Sequence, residues 1–210
     1  VTPIARLTGE YEAIVVPAAS DIKTIADLVA KLKQDPGSVS WGGGSAGGTD
    51  HIAVGLSAKA AGVDPTKINY VAFSGGGEAL AAILGGQVTA GISGYGEFES
   101  QVKAGQLRLL AVSSEKRIDG VDAPTLKESG LPFVFDSPFG LAGPKGMDPK
   151  VVAKIHDAFK KALEDPSVLA VFDKFEMVPN YLNSADYTKF VQEFMVSERK
   201  ALTDIGLAKK

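Results

Sequence analysis

Apolar positions along this chain alternate between strand-like runs and helical spacing. Tyr11 to Val16 reads as a strand, with Gly9-Glu10 ahead of it as a turn or crossing point. Ile25, Leu28, Val29 and Leu32 then share one helical face, with Thr24 as N-cap and Asp27 three residues on in a variant of the capping box. Asp35-Pro36-Gly37 ends that helix. Ser38 to Trp41 is a short strand, and Ile52, Leu56 and Ala60 recur in a helix that reaches about Ala61. The step repeats, with a strand from Asn69 to Phe73, a turn at Ser74-Gly75-Gly76-Gly77 with Ser74 as N-cap, and a helix from Glu78 to Leu84. Val88 to Ile92 is a further strand, Ser93-Gly94-Tyr95-Gly96 a turn, and Phe98 to Val102 a helix. Leu107 to Val112 is nearly all apolar, as a strand in a buried parallel sheet would be.

Beyond Val112 the pattern changes. Pro124 to Glu128 predicts a short helix, and Phe133-Val134-Phe135 and Phe139-Gly140-Leu141 are strand-like. Asp148 caps a helix with Pro149 at its first position and Val152, Ile155, Phe159 and Leu163 on one face. A helix from Asp165-Pro166 to Phe175 follows, then a short strand at Met177 to Pro179. Ser184 caps a last helix that carries Tyr187, Phe190, Val191, Phe194 and Leu202 on one side. These helices are amphipathic, and few strands remain for them to cover.

Composition narrows the function. The chain has 210 residues, 45% of them hydrophobic, enough for one large domain or two small ones. Its net charge is -3 and it has no basic run, which argues against a nucleic-acid surface. No apolar run approaches the roughly 18 residues of a membrane helix, and the start Val1-Thr2-Pro3-Ile4 is not a secretion signal. The absence of cysteine excludes disulfides, thiolate metal sites and a cysteine nucleophile, and two separated histidines argue against a zinc site. The reading calls for no cofactor.

The chemistry concentrates in Trp41 to His51. Five glycines lie among residues 42 to 48, between a strand and a helix, where backbone amides can converge on an anion. No Lys or Arg falls between Gln34 and Lys59, and the nearest charge is Asp50, so a carboxylate or phosphate here would be held by amides and hydroxyls. Gly42, Gly44 and Gly47 also satisfy G-x-G-x-x-G, but the following strand ends at Ser74 instead of an acid, and Asp64 sits in a turn. Gly43-Gly44-Ser45-Ala46-Gly47 satisfies G-x-S-x-G, the nucleophile elbow, yet His156 lies inside a helical segment. A nucleotide-binding or serine-hydrolase enzyme, and glycines that merely permit a tight turn, stay open beside the anion cradle. Ser74 to Gly77 is either a second cradle or a capped helix start. Tyr95 either lines a ligand pocket or packs its ring at the sheet edge. All three turns follow strands, at the end where open α/β sheets bind ligands. Lys116 and Arg117 read as a solvated run.

The order of motifs resembles the extracytoplasmic solute-binding receptors of tripartite tricarboxylate transporters, the Bug family. The resemblance rests on Val39 to His51 as the strand and Ser/Gly/Thr loop, Ile83-Leu84-Gly85-Gly86-Gln87-Val88, Val102 to Ser113 with Lys103-Ala104-Gly105, and Pro124-Thr125 to Gly130-Leu131-Pro132. It covers nearly the whole chain. It implies an α/β, type II periplasmic-binding fold, a parallel-rich sheet with flanking helices, one lobe nearly complete and the second partial. It also implies a periplasmic, non-enzymatic protein, monomeric at full length, that captures a small mono- or dicarboxylate between lobes and hands it to transporter subunits in the membrane, or to a sensor. By resemblance the ligand contacts are Gly44, Ser45, Ala46, Gly47, Gly48, Thr49 and His51, then Ser74, Gly75, Gly76 and Gly77, then Ser93, Gly94 and Tyr95. Residues 1–11 are expected to form a crossing segment, 12–134 the ligand-binding lobe, and 135–210 the return crossing and helices of the other lobe. The lobe crossings are expected near Arg6 to Tyr11 and Phe135 to Gly140. Family members carry a secretion signal and an N-terminal lobe region ahead of the point matching Val1, so a fragment or truncated gene product is expected. Thr89 stands where many relatives have Asp.

Overall fold

The computed structural model describes residues 1–174 and 177–208. It divides into two compact units, one of residues 1–10 and 137–198, the other of residues 11–136 and 199–210.

The larger unit is a mixed sheet with helices on both faces. Its strands are the second half of β1 (Thr2–Pro17), β2 (Ser40–Gly43), β3 (Asn69–Ala72), β4 (Ala90–Gly94) and β5 (Leu107–Val112), in the order β3-β2-β4-β1-β5. β2 pairs parallel with β3 and β4, while β1 is antiparallel to β4 and to β5. Four strands therefore run one way and β1 is inserted against them. The apolar run of β5 reflects burial and not a parallel partner, which corrects the expectation for Leu107 to Val112.

Alternation along β1 divides the core into two layers, because successive side chains of a strand point to opposite faces. Ile14 and Val16 join Trp41, Ile92 and Leu110 beneath α1 (Ile25–Gln34) and α2 (Thr49–Ala60). Ala13 and Val15 face Ala82, Ile83 and Phe98 of α3 (Gly76–Leu84) and α4 (Tyr95–Lys103). The α1 start follows the predicted chemistry: the Asp27 amide donates to Thr24 Oγ1 at 3.2 Å, and the Asp27 carboxylate accepts from the Thr24 amide. The Thr89 hydroxyl lies 3.1 Å from that of Ser40 and accepts from the Ser40 amide, so this residue ties the approach to β4 onto β2.

Several local expectations give way to tertiary bonding. β1 continues through Gly9-Glu10 without a turn, its first half pairing with β7 (Val178–Leu182) and its second with β4, and the division between the two units falls after Glu10. Pro124 to Glu128 is not a helix. Thr125 and Glu128 exchange capping bonds, but Val112 donates to the Pro124 carbonyl and accepts from the Leu126 amide, which holds the segment against the sheet. Phe133 to Phe135 makes no strand; Phe135 is fixed by Ser113, whose carbonyl accepts its amide and whose hydroxyl donates to its carbonyl. Gly75 replaces Ser74 as the cap of α3, and the Ser74 amide instead donates to the Glu78 carboxylate. Gly94 ends β4 and Tyr95 begins α4, leaving no turn between them.

The smaller unit holds the first half of β1, β6 (Asp136–Gly143) from Ser137 onward, α5 (Pro149–Ala162), α6 (Pro166–Lys174), β7 and α7 (Ser184–Asp204) as far as Glu198. β6 and β7 both pair with β1. Asp148 caps α5 as expected, accepting from the Lys150 amide at 2.8 Å. The cap of α7 is Asn183 and not Ser184: Asn183 Oδ1 accepts from the Ala185 and Asp186 amides, while Ser184 donates to the Pro3 carbonyl. The expected helix end at Phe175 lies outside the described residues. The apolar faces of α5 and α6 contain no fully buried residue, and Tyr187, Phe190 and Phe194 of α7 are half-buried. The last turn of α7 belongs with the larger unit, where Ala201 and Ile205 enter the core, whereas the sequence reading had assigned all of 135–210 to the other lobe.

Candidate functional site

The candidate site lies where β2, β3 and β4 end side by side. Because the three run parallel as neighbours, the loops after Gly43 and Ala72 and the start of α4 after Gly94 leave one edge of the sheet together. They also touch. The Phe73 amide donates to the Gly43 carbonyl at 2.9 Å, and the Tyr70 hydroxyl donates to the Gly44 carbonyl at 2.8 Å. Gly76, at the start of α3, lies so near Ser93 and Glu97 that a Cβ there would stand 2.9 Å from Ser93 Oγ.

The glycine loop is braced from within. Asp50, in the first turn of α2 and buried, accepts from the Gly44 amide at 2.7 Å and from the Thr49 hydroxyl at 3.2 Å. The Gly47 amide donates to His51 Nδ1 at 3.2 Å, and the Gly48 amide to the Ser45 carbonyl at 2.9 Å. Gly47 has a φ of +78°, a left-handed conformation that strains any residue with a Cβ. The His51 and Tyr70 rings stack, with centroids 4.0 Å apart and planes 5° from parallel.

These bonds change the cradle. Gly44, Gly47 and Gly48 spend their amides inside the loop, where they shape it. Among the described residues, the amides of Ser45, Ala46 and Thr49 make no hydrogen bond within the loop, Thr49 opening α2 where the helix dipole favours negative charge. Ser45 and Ala46 are exposed. In the second loop, Gly75 takes an extended conformation ahead of the first-turn amides of α3, and Gly77 faces open space. Ser93 is buried at the end of β4. Tyr95, expected either to line a ligand pocket or to pack at the sheet edge, is 4% exposed and packs into the core layer with Val15, Ile83 and Phe98.

Acids dominate the electrostatics. Burial, then the charges of Asp50 and Glu12, push the Tyr70 phenol far above its ordinary value, so Tyr70 stays a hydrogen-bond donor. Burial also holds the His51 imidazole below its ordinary 6.5, in keeping with the acceptor role of Nδ1. Sequence reasoning missed Tyr70 and Glu12 as parts of this region. The signal for Tyr70 is register, since parallel pairing of β2 with β3 sets Tyr70 beside Trp41 on one face.

The enzyme alternatives find no second group here. Asp64 accepts from the Thr66 amide and hydroxyl in an exposed turn before β3, not at its carboxyl end. His51 is engaged by Gly47 and Tyr70, and His156 on α5 by Asp157 and the Tyr181 hydroxyl.

The sequence profile described as the tripartite tricarboxylate transporter family receptor matches residues 1–207. The chain belongs to this receptor family. A protein from the gbd 5′ region of Cupriavidus necator is 39% identical over 207 residues, which is 98% of this chain and 62% of that protein. Among solved structures, R. palustris Rpa4515 with adipate is similar with a TM-score of 0.88 and 23% identity, covering 99% of this chain and 69% of that one. MatC from Rhodopseudomonas palustris with bound malate is similar with a TM-score of 0.84 and 22% identity, covering 96% of this chain and 69% of that one. At these identities the two structures establish the fold, that of periplasmic binding proteins. The receptor chain described here spans 62% of its Cupriavidus relative.

Proposed function

We propose that this receptor-family chain captures a small mono- or dicarboxylate at the three-loop edge of its larger unit and delivers it to a tripartite membrane transporter from the periplasm. The observation that carries the reading is the division of labour in the glycine loop. Side chains of α2 and β3 fix the loop, and the uncommitted amides of Ser45, Ala46 and Thr49, with the Ser45 hydroxyl, remain to donate to one carboxylate. Ser74 to Gly77 would meet the far end of the ligand and Ser93 its side. The ligands named with the similar structures, adipate and malate, have this chemistry. The Asp50 carboxylate beside the loop is engaged by the Gly44 amide and the Thr49 hydroxyl.

Fluorescence of Trp41, the only tryptophan, tests the proposal by titration of the purified protein with adipate, malate and NAD. A saturable response to a carboxylate is expected, with Ser45→Ala weakening it by about tenfold, the loss of one hydrogen bond to a charged group. A response to NAD alone, or ester turnover abolished by Ser45→Ala, would overturn it.

A further inference from the structure

The amides of Ser45, Ala46 and Thr49 can serve an anion only while the loop keeps its shape, and two stacked rings hold that shape. Tyr70 grips the loop at the Gly44 carbonyl and His51 at the Gly47 amide, each ring supporting the other face to face. We propose that His51 is a positioning residue whose neutral ring keeps the Gly44–Gly48 loop in its anion-binding form, so that protonation of the ring releases the loop and weakens ligand binding. This rests on the reading of the loop as a ligand site.

The chemistry is one of donors and acceptors. Nδ1 accepts the Gly47 N–H, so it carries no proton, and in the imidazolium both ring nitrogens are donors. An N–H would then face an N–H. The ring cannot easily turn aside, because it lies flat on Tyr70.

The charged surroundings of His51 can be followed element by element. On α2 the neighbouring Asp50 is engaged by the Gly44 amide and Thr49. From β3 comes Tyr70, which stays protonated, and from β1 comes Glu12, whose charge is felt at Tyr70. The end of α7 presents the apolar Leu202 to Gly47, and its Asp204 pairs with Lys59 in the last turn of α2 and with Lys200. Burial keeps the imidazole below its ordinary 6.5 against these carboxylates. The sign follows. The loop bond is present above that value and is lost as pH falls through the lowered value of His51.

Two readouts separate this latch from the ligand reading. Nitrogen NMR of the wild-type protein should show a coupling between the Gly47 amide and His51 Nδ1 that disappears as the ring titrates. Calorimetry with adipate and malate above and below the pH at which that coupling disappears should show roughly tenfold weaker binding below it, one hydrogen bond's worth, beyond the loss due to protonation of the acids themselves. His51→Asn sets Oδ1 where Nδ1 stands, keeps the acceptor and should show only the loss due to the acids' own protonation. His51→Phe keeps the stack without the acceptor and should bind weakly on both sides of that pH. A Gly47 amide indifferent to His51 ionisation, or a His51→Asn variant as pH-sensitive as wild type, would overturn the latch. A titrating coupling with no binding of either acid at any pH would uphold the latch and overturn the carboxylate reading.

Discussion

The two units use similar elements and close their cores differently. In the larger unit, helices cover both faces of the sheet, and every residue of both hydrophobic clusters lies in it. In the smaller unit the helices are as amphipathic, yet only Ile4 and Ala5 among its hydrophobic residues are fully buried among the described residues, and Val171 and Met195 stand 50% and 66% exposed. An apolar helical face stabilises a fold only by what it removes from water. Periodicity reports that a residue has a face to bury, not whether a partner covers it. The candidate site accordingly grows from the unit that can hold a loop rigid.

Substitution of one phenylalanine in each unit breaks or upholds this comparison most sharply. Phe98, fully buried, should cost about 3–5 kcal/mol on change to Ala. Phe159, 38% exposed on α5, should cost less than about 1 kcal/mol, since little area is regained by water. Urea unfolding of the two variants measures both, and equal losses would mean that the smaller unit closes a core of its own. Next in size is Gly55→Ala, where a Cβ would collide with Ile205 of the C-terminal segment. Overpacking of about 1–3 kcal/mol is expected, with faster amide exchange in residues 199–208. Unchanged exchange there would separate the C-terminal turn from the larger unit. The smallest effect sets two caps side by side. Thr24→Ala on α1 should lower the larger unit's stability by about 1 kcal/mol, whereas Asp148→Ala should loosen only α5, seen as local exchange without a shift in the larger unit's unfolding midpoint. A common shift would show one cooperative transition.

Helices of both units were legible in the sequence where their signals are local. Thr24 and Asp27, Asp148 and Pro149, and the spacing of Ile25, Leu28 and Leu32 specify their helices through bonds and contacts within a few residues. Misreadings arose where a distant strand competes with a local motif. Thr125 and Glu128 carry a capping pair, but the Val112 backbone claims the segment. At the site, the strand, the glycine loop and the helix were visible as a unit. Invisible were the inward use of the Gly44, Gly47 and Gly48 amides and the burial of Tyr95, because neither follows from spacing.

The sequence alone determined the α/β alternation, the starts of α1 and α5, the family and the place of the glycine loop, since each depends on near neighbours or on order along the chain. Only the tertiary structure decided that β1 is inserted antiparallel among four co-directional strands, that the last turn of α7 joins the larger unit, and that Tyr70 and His51 brace the loop. The physical reason is that sheet register and ring stacking are contacts between residues far apart in the chain. Their free energy appears only once the strands have paired.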